Sequence, residues 1–463
     1  MNNSDSTSEQ LAPTARVAHF IERTRYEDIP DAVLMLSKKA ILDSLGVALA
    51  GAQSEGSEII RRHIREFAGD GPAIVFGTAM RTAPRFAALA NGAAMHADDY
   101  DDTYHPSRVH PSAPVISALI ADVTRAGFSG RKLLTAFNVG VEVTTKVSEA
   151  IDGAHYQRGY HATGTCGVFG AAAALCNVRG VTTSVILSAL GIAGSSAAGL
   201  RENFGTMVKP LHTGRAAENG WDAASLAALG FTASPTVLEG ERGFFLAGGG
   251  GYDASIISRL GSPWTFAEPG IGIKPFPSGA LTHPAMSKMR ELVIEHDIRP
   301  NQVVRVSVRT NRLLPENLTY HRPATGLEGK FSMEFCLACI LVMRRAGLAE
   351  FTDKVAARAD IQDAITKFDY TVYTDEDAKV NSYTRLTTFI DIVMDNGRTV
   401  SARADEAKGS PAFPMNEQEV AEKFRECAEF AGWTPDQSSR IIEQVLGLEK
   451  VSSVGQFAEL LRQ

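Results

Sequence analysis

Eight of the eleven histidines fall in five short segments that also carry Gly, Asp, Lys or Tyr: HADDYDDTYHPSRVHP, HYQRGYHATG, KPLHTGR, SGALTH and TYHRP. Imidazoles at loop-like positions beside carboxylates and a lysine can be tuned by their neighbours toward neutral pH, and the natural use of such groups is proton transfer. The first segment begins with a helical pattern and ends punctuated by prolines. Asp99 and Asp102 are therefore expected near a helix end facing His105 and His110, with a carboxylate there as a base. The plainer alternative is that 98–102 caps the helix and forms a solvated turn. Lys209 lies in NFGTMVKPLHTGRAA, where Pro210 favours an extended approach and Gly205 and Gly214 let the backbone come close to a ligand. It reads as a functional cation, against the commoner case of an exposed loop lysine. His283, in KPFPSGALTHPA, follows a Pro-Ser-Gly turn close to a domain boundary, a favoured place for small-ligand clefts; otherwise it is a helix-starting histidine with no chemistry. Arg108, two residues before His110, offers a planar guanidinium that can hold both oxygens of a carboxylate.

Other patterns point less far. Asp98, Asp99 and Asp102 satisfy DDxxD, which on a helix would group carboxylates for Mg²⁺ and a diphosphate substrate. No second acidic motif accompanies it, and aromatics at 8% give no special supply for a carbocation cavity. Cys336 and Cys339 form a CxxC inside an apolar helix, which favours core packing over a metal site, and no complete metal-ligand set is visible. Signatures for dinucleotides, a Walker-type loop or a GxSxG nucleophile are missing from the chain.

The elements that must position these groups follow from periodicity. From 14 to 261 the pattern is helical: Pro30 opens DAVLMLSKKAILDSLGVALAG, and Ala-rich stretches such as FGAAAALC recur. Alternating strand patterns begin only at VVRVSV (303–308) and return around Asn396-Gly397, a strong hairpin signal. Between them lies the apolar helix FSMEFCLACILVMRRAG, and helical pattern resumes after Pro414. The expected architecture is mainly α: a large helical domain from 1–267 and 406–463, with a smaller α+β lid domain at 268–405.

Composition sets the broad class. At 463 residues, two domains are the reasonable prior. A charge of −7 with scattered Lys and Arg argues against nucleic acid as a partner. Five cysteines, an odd number in a large chain, argue for a reducing, cytoplasmic setting. The first dozen residues lack a basic start and an apolar stretch and read as a frayed tail; no apolar run reaches membrane-spanning length.

HADDYDDTYHPSRVHPSAP, GYHATGTCGVFGAAAA, NFGTMVKPLHTGRAAENG, GIGIKPFPSGALTHPAM and RPATGLEGKFSMEF, in that order and spacing, resemble the successive motifs of the MmgE/PrpD superfamily. That superfamily includes 2-methylcitrate dehydratases, cis-aconitate decarboxylases and iminodisuccinate epimerases. The resemblance runs nearly end to end. It implies a homodimeric enzyme with a helical main domain and an α+β lid, acting on a small polycarboxylate without metal or organic cofactor. By match to the decarboxylase pattern the site residues are Asp99, Thr103, His110, Lys209 and His283. By match to the epimerase branch Tyr156 joins Lys209, while His161 and Lys274, inside two of the motifs, complete the substrate-binding set with Arg108. Val109 departs from the pattern, since many members have Gly before His-Pro. The expected reaction is a lyase reaction, with a base among Asp99, Tyr156, His110 and Lys209 removing the proton α to a carboxylate and dehydration ranking first. Epimerisation or decarboxylation at the same site, and a non-catalytic binding protein on the same fold, are the alternatives.

Overall fold

A computed structural model describes residues 11–151, 153–384 and 386–463. Residues 1–10 of the expected frayed tail lie outside the described residues. The chain divides into two compact units, one formed by 11–97, Asp101–Gly272 and Asn416–Gln463, the other by 98–100 and Ile273–Met415.

The first unit is helical. Its helices include α1 (Asp31–Gly51), α2 (Pro84–His96), α3 (Ser112–Ala126), α4 (Gly130–Ile151), α5 (Ala162–Arg179) and α6 (Val208–Ala228). Pro30 stands at the cap of α1, and from Ala40 to Gly51 that helix is buried on every side. Helix α5 is likewise buried all round from Ala162 to Cys176, as expected of a helix apolar on every face in a large core. Such helices must pack closely, and small residues allow it. Where α2 crosses α6, a Cβ on Gly214 would stand 2.4 Å from the Leu89 carbonyl oxygen, and one on Gly92 would meet the Gly214 Cα at 3.0 Å. That crossing brings the end of α2 beside the start of α6. The carboxy-terminal helices Glu417–Phe430 and Pro435–Leu446 pack on α1, joined by a buried ion pair of Lys423 with Asp43 at 2.6 Å. Among the described residues no helix is long and apolar enough to cross a membrane.

The second unit is α+β. Strands β1 (Val303–Thr310), β2 (Phe368–Val372), β3 (Thr388–Met394) and β4 (Thr399–Ala404) form one sheet in the order β2-β1-β3-β4. β1 and β2 are parallel, and the other pairs are antiparallel. Val306, Val308, Ile390 and Ile392 share the buried face, the period-two pattern of a half-covered sheet. Helices α7 (His283–Glu295) and α8 (Met333–Met343) pack on each other, and α7 covers β3 and β4. β3 and β4 are joined through Asn396-Gly397, with Gly397 at φ 82°, where a side chain would be strained. Cys336 and Cys339 are fully buried in the core of this unit, burial pushing the Cys336 thiol up to about 12, and all five cysteines are free. The fold is therefore mainly α with a smaller α+β part.

Candidate active site

Lys209 is not in an extended loop. It occupies the first turn of α6, where Pro210 is tolerated because its missing N–H has no partner to lose, and it is buried to 4% exposure. Nor does Gly214 serve a ligand, since its close neighbour is the backbone of α2. At the end of α2, His96 receives a 2.7 Å hydrogen bond from Lys209 Nζ on Nε2. The other ring nitrogen, Nδ1, lies 2.9 Å from both oxygens of Asp101. Both side chains are fully buried. An ammonium can only donate, so His96 accepts at Nε2 and carries its proton on Nδ1, which donates to Asp101. A carboxylate, an imidazole and an ammonium thus stand in line.

Beside this line, His110 packs edge-on to His96 at 4.6 Å between ring centres. Its Nδ1–H donates to the Asp102 carbonyl at 2.8 Å, with Thr103 Oγ1 and Asp101 Oδ1 each at 3.4 Å. That leaves Nε2 as the basic nitrogen of the ring. The His110 N–H is anchored on Thr163 Oγ1 at 3.0 Å. The turn carrying it is closed by a bridge between Tyr104 and Val109, with Arg108 at φ 57°. Val109 is fully buried against Tyr104 and Ala162, so the residue that departs from the family pattern packs the base of this turn.

His161 caps α5 and meets His212 through their Nδ1 atoms at 3.1 Å, so one ring donates and the other accepts. Burial holds His161 well below the ordinary imidazole range, and Lys209 and the other histidines push it the same way. Burial likewise takes His212 down to about 4. Among the described residues the buried Nε2 of His161 has no hydrogen-bond partner, and a substrate oxygen can satisfy it. Phe204 connects this region outward: His161 meets its edge, Lys209 Nζ lies 5.3 Å from its centre, and Arg201 5.9 Å. Tyr156, the half-buried residue of the His-Tyr pair, is stacked by Arg201 at 3.8 Å and Arg108 at 4.5 Å. His155, its neighbour, is an internal residue bonded to Thr165 Oγ1.

Asp99, Lys274 and His283 belong to the second unit. Lys274 Nζ donates at 2.8 Å to both the Asp99 carboxylate and its carbonyl, and all three side chains are buried. Lys330 grips Asp98 in the same way, at 2.8 Å to the carbonyl and 3.2 Å to the carboxylate. His283 starts α7 and lies 3.1 Å from the Ser278 carbonyl through Nε2. Asp99 is thus ion-paired to Lys274, and Asp101 is held against His96. The DDxxD reading is corrected on the same ground. Helix α2 ends at His96, so these aspartates are not displayed along a helix, and two of them hold lysines.

Asp102, the third aspartate of that pattern, is fully buried and hydrogen-bonded to the Ser112 hydroxyl. Burial pushes its carboxyl up to about 8, against the opposing Ser112 hydrogen bond and with the charges of Asp101 and Asp43 adding to the rise. A folded-state pKa above the unfolded one means that the stabilising proton is held below the unfolded value and lost as pH rises through about 8. Asp102→Asn mimics the protonated form. Its melting temperature should differ least from the parent's near pH 4, where the unfolded side chain is also protonated, and should exceed it by a margin that grows as pH rises toward 8; an advantage that does not grow over that range would overturn a neutral Asp102.

Of the residues expected from sequence, the first unit gathers Thr103, His110, His161 and Lys209 and stacks Arg108 on Tyr156. His96, Asp101, Phe204 and Arg201 were not anticipated. His96 and Asp101 stand in the same HADDYDD segment, and a histidine at a helix end five residues before a carboxylate was the available signal. In this unit, donor atoms of His96, Asp101 and His110 lie within 4.8 Å of one another, close enough to be considered for a cation. The Lys209 ammonium already occupies that role on His96.

The chain is 29% identical over 464 residues to the cis-aconitate decarboxylase of Homo sapiens, spanning 97% of this chain and 94% of that protein. It is 28% identical to that of Aspergillus terreus over 482 residues, 97% and 95% of the two chains, and 28% identical to that of Mus musculus over 429 residues, 89% and 86%. These relatives are enzymes by name. The MmgE/PrpD N-terminal domain matches residues 15–256 and the MmgE/PrpD C-terminal domain residues 276–448, so the chain belongs to the MmgE/PrpD family.

Proposed function

We propose that this protein is a lyase that removes CO₂ from a small unsaturated tricarboxylate of the cis-aconitate type. The observation that carries the reading is the buried line of Asp101, His96 and Lys209 beside His110, a fixed cation next to a basic imidazole. In a β,γ-unsaturated acid the bond to the departing CO₂ breaks and its electrons form a new terminal double bond. The electrons of the old double bond move to the carbon α to a remaining carboxylate, and that carbon takes a proton. The transient charge is an enolate-like dianion, which a cation held in a dry site stabilises strongly. Lys209 is assigned to that carboxylate and His110, once protonated on Nε2, to delivery of the proton. His161 Nε2 is assigned to a substrate oxygen.

Dehydration passes through the same type of carbanion by removing a proton instead of adding one. What favours decarboxylation is the nearly full-length similarity to three decarboxylases. The test is NMR in D₂O with a panel including cis-aconitate, 2-methylcitrate and iminodisuccinate. The expected result is loss of cis-aconitate with release of CO₂ and one deuterium on the carbon next to a carboxylate of the product. Water elimination or bare α-proton exchange, with no CO₂ from any acid, would replace this reading with the dehydratase or the epimerase.

A further inference from the structure

The lyase assignment gives His161 Nε2 to a substrate oxygen and leaves His212 without a task. The two rings meet through their Nδ1 atoms at 3.1 Å, so whichever ring donates there fixes where the other carries its proton. Burial keeps both below the ordinary imidazole range, and each is therefore neutral near pH 7, with one proton and one bare nitrogen. The pair has two arrangements, and only one of them presents an N–H at His161 Nε2.

The fold builds a place for His212. Helix α5 carries Gly164, where a Cβ would stand 3.1 Å from the His212 Cβ and 2.5 Å from the Ala198 carbonyl oxygen. Gly199 lies at φ 144°, and a Cβ there would meet the His212 ring at 3.2 Å. The Gly199 carbonyl also accepts the His161 N–H at 3.0 Å. One glycine thus ties the backbone of His161 and clears the space for the ring of His212. The His161 ring stacks on His96 at 5.7 Å between ring centres, and His96 in turn holds Lys209. His161 keeps 1% of its surface exposed and His212 9%. An ionised carboxylate only accepts hydrogen bonds, so a carboxylate oxygen on His161 Nε2 needs the proton there. His161 Nδ1 is then bare and accepts from His212 Nδ1–H, and the remaining bare nitrogen falls on His212, the less buried ring. We infer that His212 is a positioning residue: by donating from Nδ1 it holds His161 in the tautomer whose Nε2–H meets the substrate's carboxylate oxygen and the charge that builds on it. This rests on the lyase reading given above.

Two measurements test it. The first is nitrogen-15 NMR of the ligand-free protein labelled at histidine, with His161→Gln and His212→Asn each removing one ring to assign the pair. His161 should be protonated on Nε2 and bare on Nδ1, and His212 the reverse. The opposite pattern overturns the inference whatever reaction the enzyme catalyses. The second is turnover of the acid that the D₂O panel identifies. His212→Ala should lower kcat by about 10- to 100-fold with KM little changed, because the misplaced N–H acts on charge that builds in the transition state. His212→Asn should recover most of that loss, since its amide nitrogen is the same number of bonds from Cα as Nδ1 and can donate to His161. His212→Gln is closer to histidine in size but carries its amide one bond further out, and it should not recover. Equal recovery in both variants, recovery in His212→Gln alone, or a loss confined to KM would make His212 a space-filling residue and overturn the inference. A parent that turns over no acid in the panel overturns the lyase reading, and the spectrum then decides the tautomer by itself.

Discussion

Lys209→Ala should lower kcat/KM on the true substrate by about 10³-fold or more, because the variant removes a charge from a buried site where one lost partner costs about 3–5 kcal/mol. The ammonium is 2.7 Å from His96 Nε2 and almost fully shielded from water, so no solvent molecule replaces it on the developing carboxylate charge. Lys209→Arg should not restore activity. A planar fork is wider than an ammonium and cannot occupy a position defined by one short bond to an imidazole nitrogen. Circular dichroism and thermal melting should show the fold intact, since α6 is held by its small-residue crossing with α2 and by its packing on α5. A folded Lys209→Ala with near-parental turnover would remove this lysine from the mechanism.

The second large effect should come from Asp101→Asn, which changes one atom and no shape. With the carboxylate present, His96 donates from Nδ1 and accepts at Nε2. An amide in its place can donate to Nδ1, which turns the imidazole to the tautomer with its proton on Nε2, facing the Lys209 ammonium. Two donors then oppose each other, and the lysine must move or lose its proton. A loss of about 10²- to 10³-fold in kcat is expected, the scale reached when a catalytic imidazole is held in the wrong tautomer or an aligned charge is misplaced by an ångström. His96→Gln should retain more activity than His96→Ala, because its amide can accept from Lys209 and donate toward Asp101 together. Equal activity in Asp101→Asn and the parent, with Lys209→Ala inactive, would leave Lys209 essential and show that the Asp101–His96 pair does not position it.

Much of the frame was legible because it depends on local order in the chain. The helix after Pro30, the apolar helix around Cys336, the strand at 303–308 and the hairpin at Asn396-Gly397 each follow from short-range periodicity or turn chemistry, and each is present. Strand β2 was missed. It is an edge strand whose residues are half-buried or exposed, so FDYTV carries little apolar alternation, and it is recruited by parallel pairing to a strand some sixty positions earlier. Periodicity does not report pairing at that range.

The site divides in the same way. Residue types alone placed His110, Lys209 and Arg108 among the functional candidates, because several imidazoles near carboxylates and a cation in one chain are difficult to account for by packing, and the family resemblance added Tyr156 and His161. Which carboxylate serves which base was beyond the sequence. Asp98, Asp99, Asp101 and Asp102 are near neighbours in the chain, yet two hold lysines, one holds a histidine and one is buried beside a serine. Those fates are set by the backbone torsions after α2 ends, including the positive φ at Asp99, and by which distant element arrives opposite each side chain. Lys209 shows the same limit. Its sequence context suggested an extended segment held close to a ligand, and its meeting with His96 depends on Gly92 and Gly214 letting two helix backbones touch. The sequence by itself determined the stock of acid, base and cation and the helical frame that carries them, since both follow from residue type and short-range order. Only the tertiary structure decided the pairings, because a hydrogen bond is settled within a few tenths of an ångström and residues more than a hundred positions apart reach that accuracy only through packing.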